Sequence, residues 1–282
     1  MQKAVRSGQV PNQMILTPFF LDEPLPGLEP LAASDWLINR PLLPPGPKQQ
    51  RLSALHRPLA DFVLQSISRG KRPVSIAGDC CTAIGVLAGL QRAGLDPVLI
   101  WFDAHGDFNT WETTPSGFLG GMPLAMLVGR GEQTMIKALG IKPLAENRVI
   151  LTDARDLDPT EKRLVEEAAV VHLTNSGALL DFALPEGPLY VHIDTDIVDP
   201  AQAPAMNYPA PGGPSAENLQ TVMRHLSRTG KIAAVSVSSW NPQLDKDGRS
   251  RRACMELLNE LIFHRGGSLS KDFIGTLNAK DQ

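Results

Sequence analysis

Three short stretches of this sequence concentrate residues able to hold metal ions or move protons: Ala77-Gly78-Asp79-Cys80-Cys81, Asp103-Ala104-His105-Gly106-Asp107 and Asp194-Thr195-Asp196. Each follows directly on an apolar run of the kind that forms a buried strand. In an extended chain alternate residues share a face, so Asp103, His105 and Asp107 are expected to converge, as are Asp194 and Asp196. Carboxylates crowded in this way repel and raise one another's pKa unless a cation neutralises them. Hard oxygen donors with one imidazole suit Mn²⁺, as one or two ions, with Zn²⁺, Fe²⁺ or Ni²⁺ as competitors. Two divalent ions would balance the four aspartates. Taken singly, an Asp at a strand end reads as a helix cap or a solvated turn. The coincidence of such groups at separate strand ends is what points to a metal centre.

These groups need a frame that gathers strand ends. Short β-branched or apolar runs predict strands at Val74 to Ala77, Val98 to Phe102, Val149 to Leu151, Val170 to Leu173, Leu189 to Ile193 and Ile232 to Val237, with an earlier one at Met14 to Phe20. Amphipathic segments predict helices at Gln50 to Gly70, Ala83 to Ala93, Met122 to Leu127, Glu132 to Leu139, Glu161 to Ala168, Ala216 to Ser227 and Arg252 to Phe263. Their alternation predicts an α/β sheet covered on both faces, with ligands beyond the carboxyl ends of the strands. No internal repeat and no linker after Lys48 is visible, so residues 1–282 are expected to form a single domain. It opens with a proline-rich segment at about 1–48, where Pro11, Pro18, Pro24, Pro26 and Pro30 disfavour long helices.

Composition narrows the partners. The 282 residues carry 27 Lys and Arg against 30 Asp and Glu, a formal charge of −3, with no basic stripe to follow a nucleic acid backbone. At 43% hydrophobic and 20% charged residues, disorder and coiled coils are excluded. No apolar run spans a bilayer and no signal peptide is evident, so the expected partner is a small molecule and the expected location cytoplasmic. Adjacent Cys80 and Cys81, with Cys254 apart, do not make a disulfide framework.

The stretch from Ala77 to Gly85 resembles the Gly-Gly-Asp-His-Ser block of the arginase and agmatinase (ureohydrolase) family, and Asp103 to Asp107 resembles its Asp-Ala-His-x-Asp block. Ser116 to Pro123 is similar to the family's Ser-Gly-Asn-Leu-His-Gly-Met-Pro. Arg155 to Pro159 and Asp194 to Pro200 resemble two further blocks, in family order, and Asn241-Pro242 matches the last in part. The resemblance implies a three-layer α/β/α fold with a mostly parallel sheet of about eight strands. It also implies a homo-oligomer, trimer or hexamer, and hydrolysis of C–N bonds in linear guanidino or amidino compounds by a hydroxide held between two manganese ions. Carried over by position, Asp103 and Asp194 would bridge the metals, Asp107 with Cys80 would bind the first, and His105 with Asp196 the second. Asp107 would also pass a proton to the leaving amine. Asn109, Ser116, Asp156 and Asp158 match positions that hold an amino-acid end of the substrate, although Asp156 and Asp158 equally suit an Arg155 partner and a helix N-cap.

Four positions depart from the family pattern. Cys80 stands where the resemblance places a metal-binding histidine, Gly120 where it places a proton-shuttling histidine, Ser239 where it places a guanidinium-binding glutamate, and Phe118 where it places an asparagine. Glu112 is a candidate substitute for the missing glutamate, although a solvated loop residue is the expected reading, and His192 is a candidate ring for the metal site, although a core histidine is the expected one. Trp101 and Trp111 are open to core packing or to a pocket wall. Three functions are therefore expected in competition: hydrolysis of a guanidino or amidino amino acid, hydrolysis of a less basic N-hydroxyguanidine such as hydroxyarginine, and metal or ligand binding without turnover.

Overall fold

The computed structural model describes residues 10–263, so the first nine residues of the proline-rich segment lie outside it. Ten strands are formed among the described residues: β1 (Asn12–Thr17), β2 (Phe19–Phe20), β3 (Glu23–Pro24), β4 (Leu37–Ile38), β5 (Arg72–Ala77), β6 (Val98–His105), β7 (Val149–Asp156), β8 (Val171–Leu173), β9 (Leu189–Asp194) and β10 (Ile232–Ser238). Strands β2 and β3 make a small antiparallel ribbon. The other strands form one sheet in the order β4-β1-β5-β10-β9-β6-β7-β8, every neighbouring pair parallel. The first strands build one half and β6 to β8 the other. Then β9 and β10 fill the gap between β5 and β6, so the carboxyl ends of β5, β6, β9 and β10 are gathered at the centre.

Strand composition follows from burial on both faces. In β6, Leu99 and Trp101 enter one hydrophobic cluster while Val98, Ile100 and Phe102 enter the other. Such a continuous apolar run marks a strand packed between two layers. Helices α1 (Lys48–Ser68), α2 (Ala83–Arg92), α3 (Pro123–Leu127), α4 (Thr134–Leu139) and α5 (Pro159–Glu167) bury their apolar residues in the first cluster. Helices α6 (Ala216–Arg228) and α7 (Arg249–Ile262) bury theirs in the second. The result is the expected three-layer α/β/α architecture.

Where boundaries differ from the sequence expectation, side-chain hydrogen bonds account for the shift. Helix α4 starts at Thr134 and not at Glu132, because the Glu132 carboxylate accepts from the Thr134 backbone N–H (2.7 Å) and from Trp111 Nε1 (3.0 Å). Helix α7 starts earlier than Arg252, with Asp247 Oδ1 accepting from Arg249 N–H and Asp245 Oδ2 from Arg251 N–H. Among the described residues, no helix is long and apolar enough to cross a membrane.

The loop after β5 is held by close backbone approach. Gly78 N–H donates to Phe19 O at 3.0 Å, and a Cβ on Gly78 would stand 2.3 Å from that same oxygen. Gly78→Ala must push the β2 segment away from the loop bearing Asp79 and Cys80. Urea unfolding should show a loss of about 1–3 kcal/mol; an unchanged midpoint would mean that the segment yields freely.

Candidate metal centre and its cavity

Strand β6 ends at His105, so Asp103 and His105 lie on one face as alternation requires. Asp107 lies beyond the strand with φ +50°, and it is this left-handed residue, not strand periodicity, that returns its carboxylate toward the others. Opposite β6, the register with β7 slips between Asp103 and His105, where Asp153 and Ala154 both have positive φ. The bulge re-aims the end of β7.

Asp103, His105 and Asp196 offer ligand atoms that all lie within 4.8 Å of one another. His105 Nδ1 stands 3.1 Å from Asp196 Oδ2 and 3.4 Å from Asp103 Oδ1. The network extends outward from there. Asp103 Oδ2 accepts from Trp101 Nε1 (3.0 Å), Asp194 Oδ1 accepts from Asp196 N–H (3.1 Å), and Asp194 Oδ2 accepts from Ser238 (3.3 Å) and from Ser239. Asp107 Oδ2 is buried without a hydrogen-bond partner among the described residues.

Burial raises the pKa of each of these carboxyls, and neighbouring charge adds to it: Asp194 for Asp103, Asp103 for Asp107 and for Asp196, and Asp196 for Asp194. Burial alone would lower His105, but its hydrogen bonds to Asp103 and Asp196 and their charge push it up to about 12. The donor set fits divalent cations: hard oxygens with one imidazole, an orphaned buried carboxylate oxygen, and negative charge in excess of the cations present.

Of these residues His105, Asp107, Asp194 and Asp196 line a cavity of about 380 Å³ whose lining also includes Cys80, Asn109, Ser116, Asp156, Asp158 and Ser239, while Asp103 is not among the lining residues. Asn109 Nδ2 donates to Asp158 Oδ2 at 2.9 Å, and Ser116 sits in the exposed loop. Cys80 faces the cavity, but its thiol donates to Gly120 O at 3.2 Å. Hydrogen bonding with Cys81, then burial, then the Asp107 charge raise the Cys80 pKa well above its usual value.

The geometry decides the alternatives that the sequence left open, in favour of the core for His192 and of the loop for Glu112. Glu112 is not among the cavity-lining residues; its carboxylate caps the loop through Thr110 Oγ1 at 2.6 Å. His192 is a core residue, its ring 3.9 Å from that of Trp101 and its Nδ1 2.7 Å from Ser236 Oγ, and burial lowers its pKa to about 3. Arg155 pairs with Asp153 and not with Asp156. Trp101 is core and orients Asp103, whereas Trp111 is 43% exposed and lies outside the cavity lining.

Sequence reasoning missed Glu161, Phe20 and Tyr208, all of which line the cavity. Glu161 is buried, accepts from Phe108 N–H (2.8 Å) and Asp158 N–H (3.2 Å), and is raised to about 7 by burial against those bonds. Its spacing of three from Asp158 at the start of α5 is a capping-box signal that was legible. Tyr208 sits in a loop rich in proline and glycine and gives no such signal.

A parallel sheet between helical layers, with acids and one histidine gathered at its carboxyl ends, defines an α/β protein with a metal-competent centre. The profile of the arginase family matches residues 34–264, and the chain belongs to that family. The arginase of Bacillus subtilis (strain 168) is 32% identical over 216 residues, covering 72% of this chain and 73% of the relative. The arginase structure from Bacillus caldovelox superposes with a TM-score of 0.80 at 24% identity, covering 92% of this chain and 100% of that one. The formimidoylglutamase of Bacillus subtilis shares the fold, with a TM-score of 0.69 at 13% identity over 92% of this chain and 88% of that one.

The charge cluster fixes a pH signature. Groups raised in the folded state hold protons that the unfolded chain has lost, so metal-free stability falls as pH rises. His56 and His192, both lowered to about 3, work in the opposite direction only between about 3 and 6.5, so the window above pH 7 isolates the cluster. Melting temperature in chelator should drop from pH 7 to 8.5, and the gap to the manganese-loaded protein should widen. A gap independent of pH would contradict the charge assignment.

Proposed function

We propose that the protein hydrolyses a C–N bond of a linear guanidino or amidino compound in a metal-dependent reaction, acting as one domain. The observation that carries this is the convergence of His105, Asp107, Asp194 and Asp196 on an open cavity at gathered strand ends, with Asp103 grouped against His105 and Asp196. Asp103 and Asp194 would hold two manganese ions together, Asp107 and Cys80 the first, and His105 with Asp196 the second. The ions would supply Lewis acidity and acidify a water for attack on the amidine carbon. Asp107 Oδ2, buried and without a hydrogen-bond partner among the described residues, would take a proton and deliver it to the leaving amine. Asn109, Ser116, Asp156 and Asp158 would accept hydrogen bonds from the substrate. Trp101, Ser238 and Ser239 would keep the aspartates in register.

An N-hydroxyguanidine is the second reading, favoured by one observation. The Ser239 hydroxyl is spent on Asp194 and Glu112 lies outside the cavity, so neither position offers a carboxylate to a strongly basic guanidinium. A panel of guanidines, amidines and N-hydroxyguanidines, read by urea and hydroxyurea release after manganese loading, tests both. Ser239→Glu should raise kcat/KM for arginine more than for hydroxyarginine. Two bound ions without hydrolysis of any compound would leave a metal- or ligand-binding protein.

The triad Asp103, His105 and Asp196 is compact, whereas Cys80 has its thiol on a carbonyl. Mild chelation should therefore leave about one manganese per chain, as measured by elemental analysis. Cys80→His should tighten retention of the first ion by about tenfold or more, and Cys80→Ala should loosen it. Unchanged metal content in both variants would remove Cys80 from the ligand set.

A further inference from the structure

The cavity has two chemically different walls. Carboxylates form one. The other is aromatic: the Phe118 ring lies between Phe20 (centroids 6.3 Å apart, planes at 16°) and Tyr208 (5.1 Å, 47°), and all three line the cavity. The Phe118 backbone is tied in place, its N–H donating to Ser116 Oγ (3.2 Å) and its carbonyl accepting from Gly121 N–H (3.2 Å).

Gly120 exists for this ring. Its φ is not in the left-handed region, so the turn does not demand glycine. A Cβ at residue 120 would stand 2.4 Å from Phe118 Cε1 and 2.5 Å from Cζ. Any side chain there would displace the ring from the wall.

Among the described residues the cavity lining offers no lysine or arginine to an anion. Arg155, the nearest in sequence, spends its guanidinium on Asp153 and on the carbonyls of Asp196, Ile197, Ala210 and Pro211. A ligand carboxylate placed against the aromatic wall would lose water and gain no cation. An amidinium head with an apolar body meets both walls correctly: cation toward the carboxylates, ring or alkyl group against Phe118.

We propose that Phe118, with Phe20 and Tyr208, determines specificity and selects guanidines or amidines that carry an aryl or alkyl substituent where an amino acid carries its charged end. This rests on the hydrolase reading above and narrows its substrate class. Calorimetric binding of benzamidine, acetamidine and L-arginine to the manganese-loaded full chain tests it without turnover. Benzamidine should bind roughly tenfold or more tighter than acetamidine, and tighter than L-arginine. Phe118→Ala and Gly120→Ala should each erase most of that preference while leaving acetamidine within about twofold. Tyr208→Ala, at a residue 51% exposed and therefore safe for the fold, should reduce it in part. Equal binding of the two amidines, tighter binding of L-arginine, or variants that weaken both amidines alike would overturn the proposal. Absence of hydrolysis in the compound panel, with the aromatic preference intact, would count against the hydrolase reading alone.

Discussion

Buried negative charge is the constraint that the rest of this molecule accommodates. Asp103, Asp107, Asp194 and Asp196 are all nearly inaccessible to water, and among the described residues His105 is the one basic side chain of the cavity lining set against them. An isolated buried carboxylate is strongly disfavoured, and several together more so. Indole, hydroxyl and backbone N–H donors offset part of that cost at Asp103 and Asp194, while Asp107 keeps an oxygen with no partner among the described residues. Divalent cations would complete the balance.

Holding such charge in register requires backbone conformations that ordinary residues avoid. Asp107, Asp153, Ala154 and Ser239 all have positive φ without being glycine, and all lie at the carboxyl ends of β6, β7 and β10. Each costs on the order of 1 kcal/mol or more, and such outliers persist where surrounding structure over-determines them. Here the sheet does so. Strands β6, β7, β9 and β10 are paired along their length, and two apolar layers fix them from both sides. The strain sits at the mouth of the sheet, where it turns carboxylates toward one another.

Residues singled out in the sequence meet around the cavity. Cys80 rests its thiol on the carbonyl of Gly120, Gly120 leaves the space that the Phe118 ring fills, and Ser239 donates to Asp194. The cavity combines an aromatic wall with an acidic floor. The chemistry of the floor and the selectivity of the wall are thus separable parts of one cavity, carried by different loops.

The sequence by itself determined the alternation of strands and helices, because burial on two faces writes continuous apolar runs and burial on one writes a helical stripe. It also determined that Asp103, His105, Asp107, Asp194 and Asp196 follow such strands, since these motifs are local in the chain. It did not determine how far each side chain reaches. Glu112 and Glu161 are both acids near the metal motif, and only packing against Phe108 and Asp158 buries Glu161 while Glu112 caps an exposed turn. His192 shares a strand with Asp194, yet the tertiary contact with Trp101 and Ser236 assigns it to the core. Phe20, Phe118 and Tyr208 come from three distant segments with no common periodicity, and their meeting follows from how loops fold over the sheet ends. Contacts set by strand repeat are legible in one dimension; contacts made between loops are decided only when the sheet brings their anchor points together.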